Sequence, residues 1–483
     1  MAIEFIGRKL EKKVLKEAID SSEAEMVAVI GRRRIGKTFL ITCVYEKQIV
    51  FEISGLQTVS LGGQLKNFAA QLTQVINPDF PIQTPTGWFE AFQLLINYLK
   101  PLMGKDKKVV FFDELPWLAT AKSDFLSALA YFWNSWASRE NIVVVICGSA
   151  ASWMIQKVVH HKGGLHNRIT KRIYLQPFTL AETERYLKSR HINFDRYQIM
   201  HLYMAIGGIP HYLKEVRAAR SVIQNIDYLC FSNAGILTDE FSKLYPSLFE
   251  KADNHIAVVR ALAQKRKGLV RKDIIEITKI TNGGGTTRVL EELEQSGFIT
   301  SYHPFGKKKK EKLYRLTDEY SLFYLQFIED KVNAGPGTWQ HLSQSAGYKS
   351  WSGYTFESIC MKHLLQIKKA LGIASVYTIP YSFIKRGTPN EKGAQIDLVL
   401  DRADAVINLI EMKFHKEVYS LSKSYAEQLN QKKHVFQSIT KTKKHLSWAM
   451  ITAFGFKPNT HSLGLIENHI TLDVLFEDIS LDY

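Results

Sequence analysis

Eight consecutive residues, Gly31-Arg-Arg-Arg-Ile-Gly36-Lys37-Thr38, constrain this chain more than any other stretch. They satisfy GxxxxGK[ST], in which glycines let the backbone curl so that its N–H groups face phosphate oxygens. In that chemistry Lys37 carries positive charge to the β and γ phosphates, and the Thr38 hydroxyl is a ligand for Mg²⁺. The flanks agree: Met26–Ile30 reads as a strand and Phe39–Cys43 as the start of a helix. ATP and Mg²⁺ are the cofactors expected. Gly31, Arg34, Gly36, Lys37, Thr38 and Phe39 are the residues of this run expected at the nucleotide.

The surrounding pattern is α/β. Short apolar runs at Met26–Ile30, Ile49–Ile53, Lys108–Phe112, Ile142–Ile146 and Arg172–Leu175 alternate with stretches of helical period such as Leu61–Val75 and Gly87–Tyr98. Continuous apolar strands separated by helices predict a parallel sheet covered on both faces. The run Lys108-Val-Val-Phe-Phe ends in Asp113 and Glu114, at the carboxyl end of a strand, where parallel sheets bind ligands. Asp113 is expected to hold Mg²⁺ through water, and Glu114 to orient or deprotonate the attacking water. Ser149, ending Val143–Gly148, would contact the γ-phosphate or the attacking water; a plain turn serine is the alternative. Arg168, in LHNRITKR, is a candidate arginine finger, in competition with an ordinary surface arginine. A finger reaching a neighbouring subunit would require a nucleotide-dependent homo-oligomer. His160, His161 and His166 read as loop residues, not metal ligands.

The 63 Lys and Arg against 47 Asp and Glu leave a net charge of +16. That balance favours an anionic partner, nucleic acid before a membrane surface, or else a solvated basic surface with no partner. Cys43, Cys147, Cys230 and Cys360 are far apart, which supports neither a zinc site nor a disulfide framework. No apolar run of about 18 residues occurs, so no membrane span is expected. Without a secretory leader pattern either, a cytoplasmic location is expected.

After Leu180 the pattern is only helical as far as Arg220, broken by Gly207-Gly-Ile-Pro210. His255–Leu316 reads as three helices and a hairpin, a winged-helix order. Its recognition helix would be Gly283–Ser296, with Thr286, Thr287 and Arg288 near its start. Its wing would carry Lys307, Lys308, Lys309, Lys310 and Lys312 to phosphates, probing DNA without regard to sequence. A winged helix used for protein contacts is the alternative. Asn333–Lys349, rich in Gly, Ser, Gln and Asn, reads as a linker. Tyr354–Ile373 reads as helical.

Near the C-terminus, Asp397 is followed after thirteen residues by Glu411-Met-Lys413. Residues two apart on a strand share a face, and Asp397 on a paired strand reaches the same point. This constellation resembles the PD-(D/E)xK nucleases. By that resemblance Asp397 and Glu411 would hold Mg²⁺, and Lys413 would orient water or stabilise the phosphorane charge. Glu357 on the preceding helix matches the further acidic residue, a third metal ligand; Gln428 is a weaker match. No Pro immediately precedes Asp397, a departure from the pattern. An inactive fold kept for binding is the alternative.

Phe5-Ile-Gly7-Arg8, GRRRIGKT, Phe111–Glu114, Cys147–Ala150, Asn167–Ile169 and Gly207–Leu213, in this order, resemble the archaeal-type ATPases of the AAA+/STAND superfamily. The resemblance implies that Gly7, Arg8 and Pro210 lie against adenine and ribose and that the helical region is a nucleotide-responsive lid. It implies an α/β parallel-sheet P-loop ATPase at 1–178, a lid at 179–240, a winged helix at 241–330, a linker at 331–349 and a restriction-endonuclease-like α/β domain at 350–483. The expected function is ATP hydrolysis coupled to DNA binding and metal-dependent cleavage. The alternative is an ATP-dependent switch or scaffold.

Overall fold

The five apolar runs of the N-terminal region pair as strands. The structure is a computed structural model that describes residues 5–121, 123–159, 164–165, 167–265, 267–306, 311–331, 335–387 and 393–478. The strands are β1 (Glu25–Ile30), β2 (Ile49–Ser54), β3 (Lys108–Asp113), β4 (Ile142–Gly148) and β5 (Lys171–Tyr174). They lie in the order β2-β3-β4-β1-β5, and every pairing is parallel. All positions of β1 and β4 are buried, as a sheet covered on both faces requires. Helices Leu61–Ile76 and Trp88–Leu99 contribute Leu65, Phe68, Phe92 and Leu95 to the core around Phe51 and Phe112. Ser60 caps the first of them by accepting from the Gly63 N–H. Because all strands run the same way, the segments leaving β1, β3 and β4 meet at one edge of the sheet.

The chain divides into two compact units. The first runs to Pro177 and includes Ser247–Glu250; the second comprises Phe178–Pro246 and the chain from Lys251 onward. The second opens with helices Leu180–Ser189, Arg196–Ile206 and Val222–Phe231. Each begins with a capping box, formed by Thr179 with Glu182, Asp195 with Gln198, and Ser221 with Gln224.

Next come helix Asp253–Gln264, β6 (Leu269–Val270), helices Arg271–Thr278 and Gly284–Gln295, β7 (Ile299–Tyr302) and β8 (Leu313–Leu316). The three strands form an antiparallel sheet in the order β6-β8-β7. Two expectations change here. Thr286 is buried, with its hydroxyl donating to the Thr281 carbonyl at 2.6 Å, so it locks the helix start. Lys312 reaches Glu294 at 3.1 Å, so its ammonium is held within this small fold. Lys307, Lys308, Lys309 and Lys310 lie outside the described residues, as do His160, His161 and His166.

The segment read as a linker packs into the core. Trp339 lies on helix Thr338–Leu342, 2% exposed, against Phe231, Phe323, Phe327 and Trp351. Asp227 accepts from the N–H groups of Gly337 and Trp339, both at 2.7 Å. The polar composition conceals two buried rings, Trp339 and Tyr348, whose apolar area joins the core while Asp227 holds the start of the helix. The following helix begins at Ala346 and ends at Lys362, and a second runs Leu364–Ala370, so helix starts well before Tyr354 and is interrupted at His363.

The C-terminal sheet comprises β9 (Thr378–Lys385), β10 (Ala394–Arg402), β11 (Val406–Lys413), β13 (His445–Thr452) and β15 (Ile466–Thr471). The short strands β12 (Tyr419–Ser420) and β14 (Phe456–Lys457) pair separately. The order is β15-β13-β11-β10-β9. β9, β10 and β11 are antiparallel, while β13 and β15 continue parallel to β11. Helix Lys423–Thr440 makes the crossover that a parallel β11–β13 pair needs.

Candidate nucleotide site and a second carboxylate cluster

The loop from Gly31 to Thr38 leaves β1 and enters helix Lys37–Val44. Gly36 sits at φ 88°, a region that L side chains avoid, and Arg34 takes a left-handed turn at φ 71°. A Cβ on Gly31 would fall 2.5 Å from the Leu175 carbonyl. No side chain caps this helix, so the N–H groups of its first turn remain available to an anion. Lys37 is buried, and its ammonium donates to the Arg32 carbonyl at 3.0 Å across the loop.

The acids at the end of β3 meet this loop. The Thr38 hydroxyl donates to Asp113 at 2.7 Å. The other Asp113 oxygen accepts from the Glu114 N–H at 2.9 Å. Glu114 has left-handed backbone, φ 45°, which turns its side chain toward the end of β4. There one carboxylate oxygen accepts from the Ser149 hydroxyl at 2.7 Å and the Ser149 N–H at 3.1 Å. Ser149 thus holds Glu114 through both its hydroxyl and its backbone N–H. Beneath them, burial followed by the charge of Asp113 pushes the Cys147 thiol well above its ordinary range.

The N-terminal residues flank the same loop. Gly7 and Arg8 both take positive φ, 72° and 56°. The Arg8 guanidinium donates to the Gln176 carbonyl at 2.6 Å and to the Ile35 carbonyl at 3.2 Å, tying this segment to the phosphate loop. Phe39 is exposed on the first turn of the helix, and its ring stacks on Phe5 at 5.5 Å. Arg168 is exposed in the turn before β5. Pro210 begins helix Pro210–Leu213 in the second unit.

The second cluster lies on β10 and β11. Leu398 pairs with Ile410, which brings Asp397 and Glu411 side by side one step further on. Asp397 accepts from the Met412 N–H at 2.9 Å. Glu411, 1% exposed, takes Lys432 on one oxygen at 2.7 Å and Lys413 on the other at 3.4 Å, with the Tyr425 hydroxyl donating as well. Glu357 extends from helix Ala346–Lys362 and faces Arg315 of β8 at 3.8 Å. Burial, then the neighbouring charge of Glu411, raises Asp397 above the usual carboxylate range; burial, then Asp397, raises Glu357. Burial works to lower Lys413, but Glu411 and Asp397 outweigh it and hold its ammonium above the ordinary lysine value.

The expected metal set of Glu357, Asp397 and Glu411 is not assembled as such. Among the described residues no group of three or more His, Cys, Asp and Glu side chains could hold a metal ion. Glu357 is engaged by Arg315, while Asp397 and Glu411 face each other across the strand pair. Arg315, Tyr425 and Lys432 join the cluster without belonging to the expected set. Tyr425 and Lys432 are seven apart, one face of a helix, and that spacing beside Gln428 was the available signal. Arg315 carried none, since only the tertiary fold brings β8 to Glu357.

A known family matches the N-terminal part of the chain. Residues 5–216 match an ATPase domain found predominantly in Archaea. An uncharacterized protein of Methanocaldococcus jannaschii is 24% identical over 426 residues, covering 85% of this chain and 87% of that one. The Walker-type ATPase of Pyrococcus abyssi is 16% identical with a TM-score of 0.49, covering 67% of this chain and 96% of that one. The ORC2 protein of Aeropyrum pernix, solved as ADPNP and ADP complexes, is 15% identical with a TM-score of 0.39, covering 71% of this chain and 97% of that one. Among the described residues no helix is long and apolar enough to cross a membrane. A phosphate loop at Gly31–Thr38, acids converging on it from β3 and a family match over the same residues make 5–216 an archaeal-type ATPase domain, an enzyme unit that binds and hydrolyses ATP.

Proposed function

We propose that ATP turnover in this domain controls a nucleic-acid-binding and metal-dependent cleaving region in the second unit. In the first unit the loop N–H groups and Lys37 take the phosphates. The Thr38 hydroxyl and the Asp113 carboxylate, already 2.7 Å apart, are the hard oxygen donors that Mg²⁺ prefers. Mg²⁺, when bound, supplies charge neutralisation on the phosphates. Glu114, fixed by Ser149, accepts the proton of the attacking water, and Arg168 is the exposed cation suited to a partner's site. Gly7, Arg8 and Phe39 flank the base.

In the second unit, three helices and the β6-β8-β7 sheet read as a winged helix. Helix Gly284–Gln295 offers the exposed Thr287 and Arg288 to DNA. The mixed sheet with its crossover helix reads as the nuclease-like fold. The observation that carries cleavage is the meeting of Asp397 with Glu411 and Lys413 on paired strands. Both carboxylates suit a divalent cation, and Lys413 is placed to orient water.

Plasmid and single-stranded DNA incubated with Mg²⁺ or Mn²⁺, with and without ATP, test the proposal. Cleavage lost in Lys413→Ala and dependent on ATP through Lys37 supports it. A second reading, an ATP-dependent switch in which this sheet only binds partners, is favoured by the cations already standing on Glu357 and Glu411. DNA binding and ATP hydrolysis without cleavage in any condition would select it.

A further inference from the structure

Between the β6-β8-β7 sheet and the C-terminal sheet lies a cleft of about 980 Å³. Lys267, Gly268 and Leu313 line one side; Lys385, Arg386 and Gln395 line the other, with Gln428 and Lys432 from the crossover helix. Among the described residues four cations thus border it, against the carboxylate of Glu311. The two walls are joined at one end. The Phe305 N–H donates to the Ser382 carbonyl of β9 at 2.9 Å, and the Phe305 ring packs on Tyr381 and Phe436. The cleft leads to the carboxylates. Lys432 stands 2.7 Å from Glu411, and Gln395 borders both the cleft and the small pocket that contains Asp397 and Glu357.

We propose that this cleft seats a single polynucleotide strand and excludes a duplex, laying a phosphodiester beside Asp397. The inference rests on the nucleic-acid part of the function proposed above. Charge selects the occupant: among the described residues a lining of four cations and several amides, without an aromatic ring, suits a phosphate backbone held without regard to base. Access selects one strand: the pocket that holds Asp397 and Glu357 has free space of only about 20 Å³, too little for a duplex to enter, so a phosphodiester reaches Asp397 along the cleft as part of one strand. The amides of Gln395 and Gln428 are then donors and acceptors for sugar and base edges. The joint between the walls keeps the gap open without a rearrangement, which lowers the ordering cost of binding.

The test measures binding of a fluorescent oligothymidylate of about twelve residues, within the range that a single-strand groove covers, and of a blunt duplex of equal length. The proteins are the full chain, Lys267→Glu on one wall, and Lys385→Glu with Arg386→Glu on the other. All three side chains are exposed or half-buried, and unfolding curves of each variant check the fold. Affinity for the single strand is expected to fall about tenfold or more for each wall. In the milder Lys385→Gln with Arg386→Gln, the slope of log affinity against log salt should shrink by about 1.4, or 0.7 for each neutralised contact. Single-strand affinity unchanged by reversal on both walls overturns the inference. So does a chain that binds duplex alone, although nucleic-acid binding then stands. A chain that binds neither overturns both. A strand held in the cleft but never cut leaves the inference standing and removes the cleavage reading.

Discussion

The two sites of this chain hold their acids in opposite ways. At the phosphate loop, Asp113 and Glu114 are held by neutral donors: the Thr38 and Ser149 hydroxyls and backbone N–H groups. On the C-terminal sheet, Lys413 and Lys432 stand on Glu411 and Arg315 on Glu357. Neutral donors orient a carboxylate while leaving its charge available to a cation or a proton. Cationic partners neutralise it, and a divalent ion must compete with them or displace them. The first arrangement is ready for its ligand. On the reading proposed above, a divalent ion enters the second only as the lysines and the arginine are drawn away, and phosphates in the adjoining cleft are a chemically suitable agent.

Removing the acid from the second site should have the largest effect on stability. Glu411→Ala leaves two lysines facing a buried gap. We expect a loss of about 3 kcal/mol, the low end for breaking a buried pair, because both ammonium groups are partly exposed. Denaturant unfolding followed on the second unit measures this. A loss below about 0.5 kcal/mol would mean that the lysines serve Glu411 no better than water does, and the contrast between the sites would collapse.

Glu114→Gln asks the matching question of the first site. Its carboxylate is held by Ser149 alone among the contacts described above, so stability should change little, while phosphate release falls about 100-fold or more with ATP binding retained. Hydrolysis near the wild-type rate would remove Glu114 as the base.

Two histidines join the helical region to the C-terminal part of the same unit. His363 is buried; its Nδ1–H donates to the Ile359 carbonyl and its Nε2 accepts from the Leu180 N–H. His201 is hydrogen-bonded to the Tyr348 hydroxyl at 2.5 Å and packs on Phe414, the residue after Lys413. Burial lowers both to about 4. The unfolded chain therefore takes up protons first as pH falls from the ordinary histidine value. Stability is full above about pH 6.5 and is lost progressively toward pH 4, by up to about 2 kcal/mol per histidine at pH 5. Glu357 and Asp397, raised by burial, act in the opposite sense, because acid relieves their penalty. The difference between wild type and His363→Gln isolates the histidine: the gap in unfolding free energy should narrow as pH drops from about 7 to about 5. A constant gap would show that His363 does not titrate on unfolding.

These contrasts also explain what could be read in advance. The phosphate loop is legible because its chemistry is made by eight consecutive residues and by backbone, and β1 to β4 follow from unbroken apolar runs. Asp397, Glu411 and Lys413 could be picked out because strand geometry fixes residues two apart. Their partners could not. Arg315 arrives from another small sheet, and Thr286, at the start of the expected recognition helix, spends its hydroxyl on the Thr281 carbonyl. The segment read as a linker is buried for a related reason: composition averages over a segment, whereas Trp339 and Tyr348 decide its burial. Pairing across elements is a property of the fold, and no local pattern announces it.

The smallest effect is also the sharpest test of how the first site works. Ser149 either touches phosphate or water directly, or acts through Glu114, and the geometry favours the second, with both its hydroxyl and its N–H directed at one carboxylate oxygen. In Ser149→Ala the backbone N–H remains, so Glu114 keeps one of its two restraints. Turnover should fall about tenfold, equivalent to about 1.4 kcal/mol, with KM for ATP unchanged. A direct phosphate contact predicts the reverse pattern, a raised KM with turnover largely preserved, because such a contact is made in the ground state as well as in the transition state. The double variant with Glu114→Gln completes the argument. If Ser149 acts only by positioning Glu114, adding Ser149→Ala to Glu114→Gln costs nothing further; an additive loss would give the serine a role of its own.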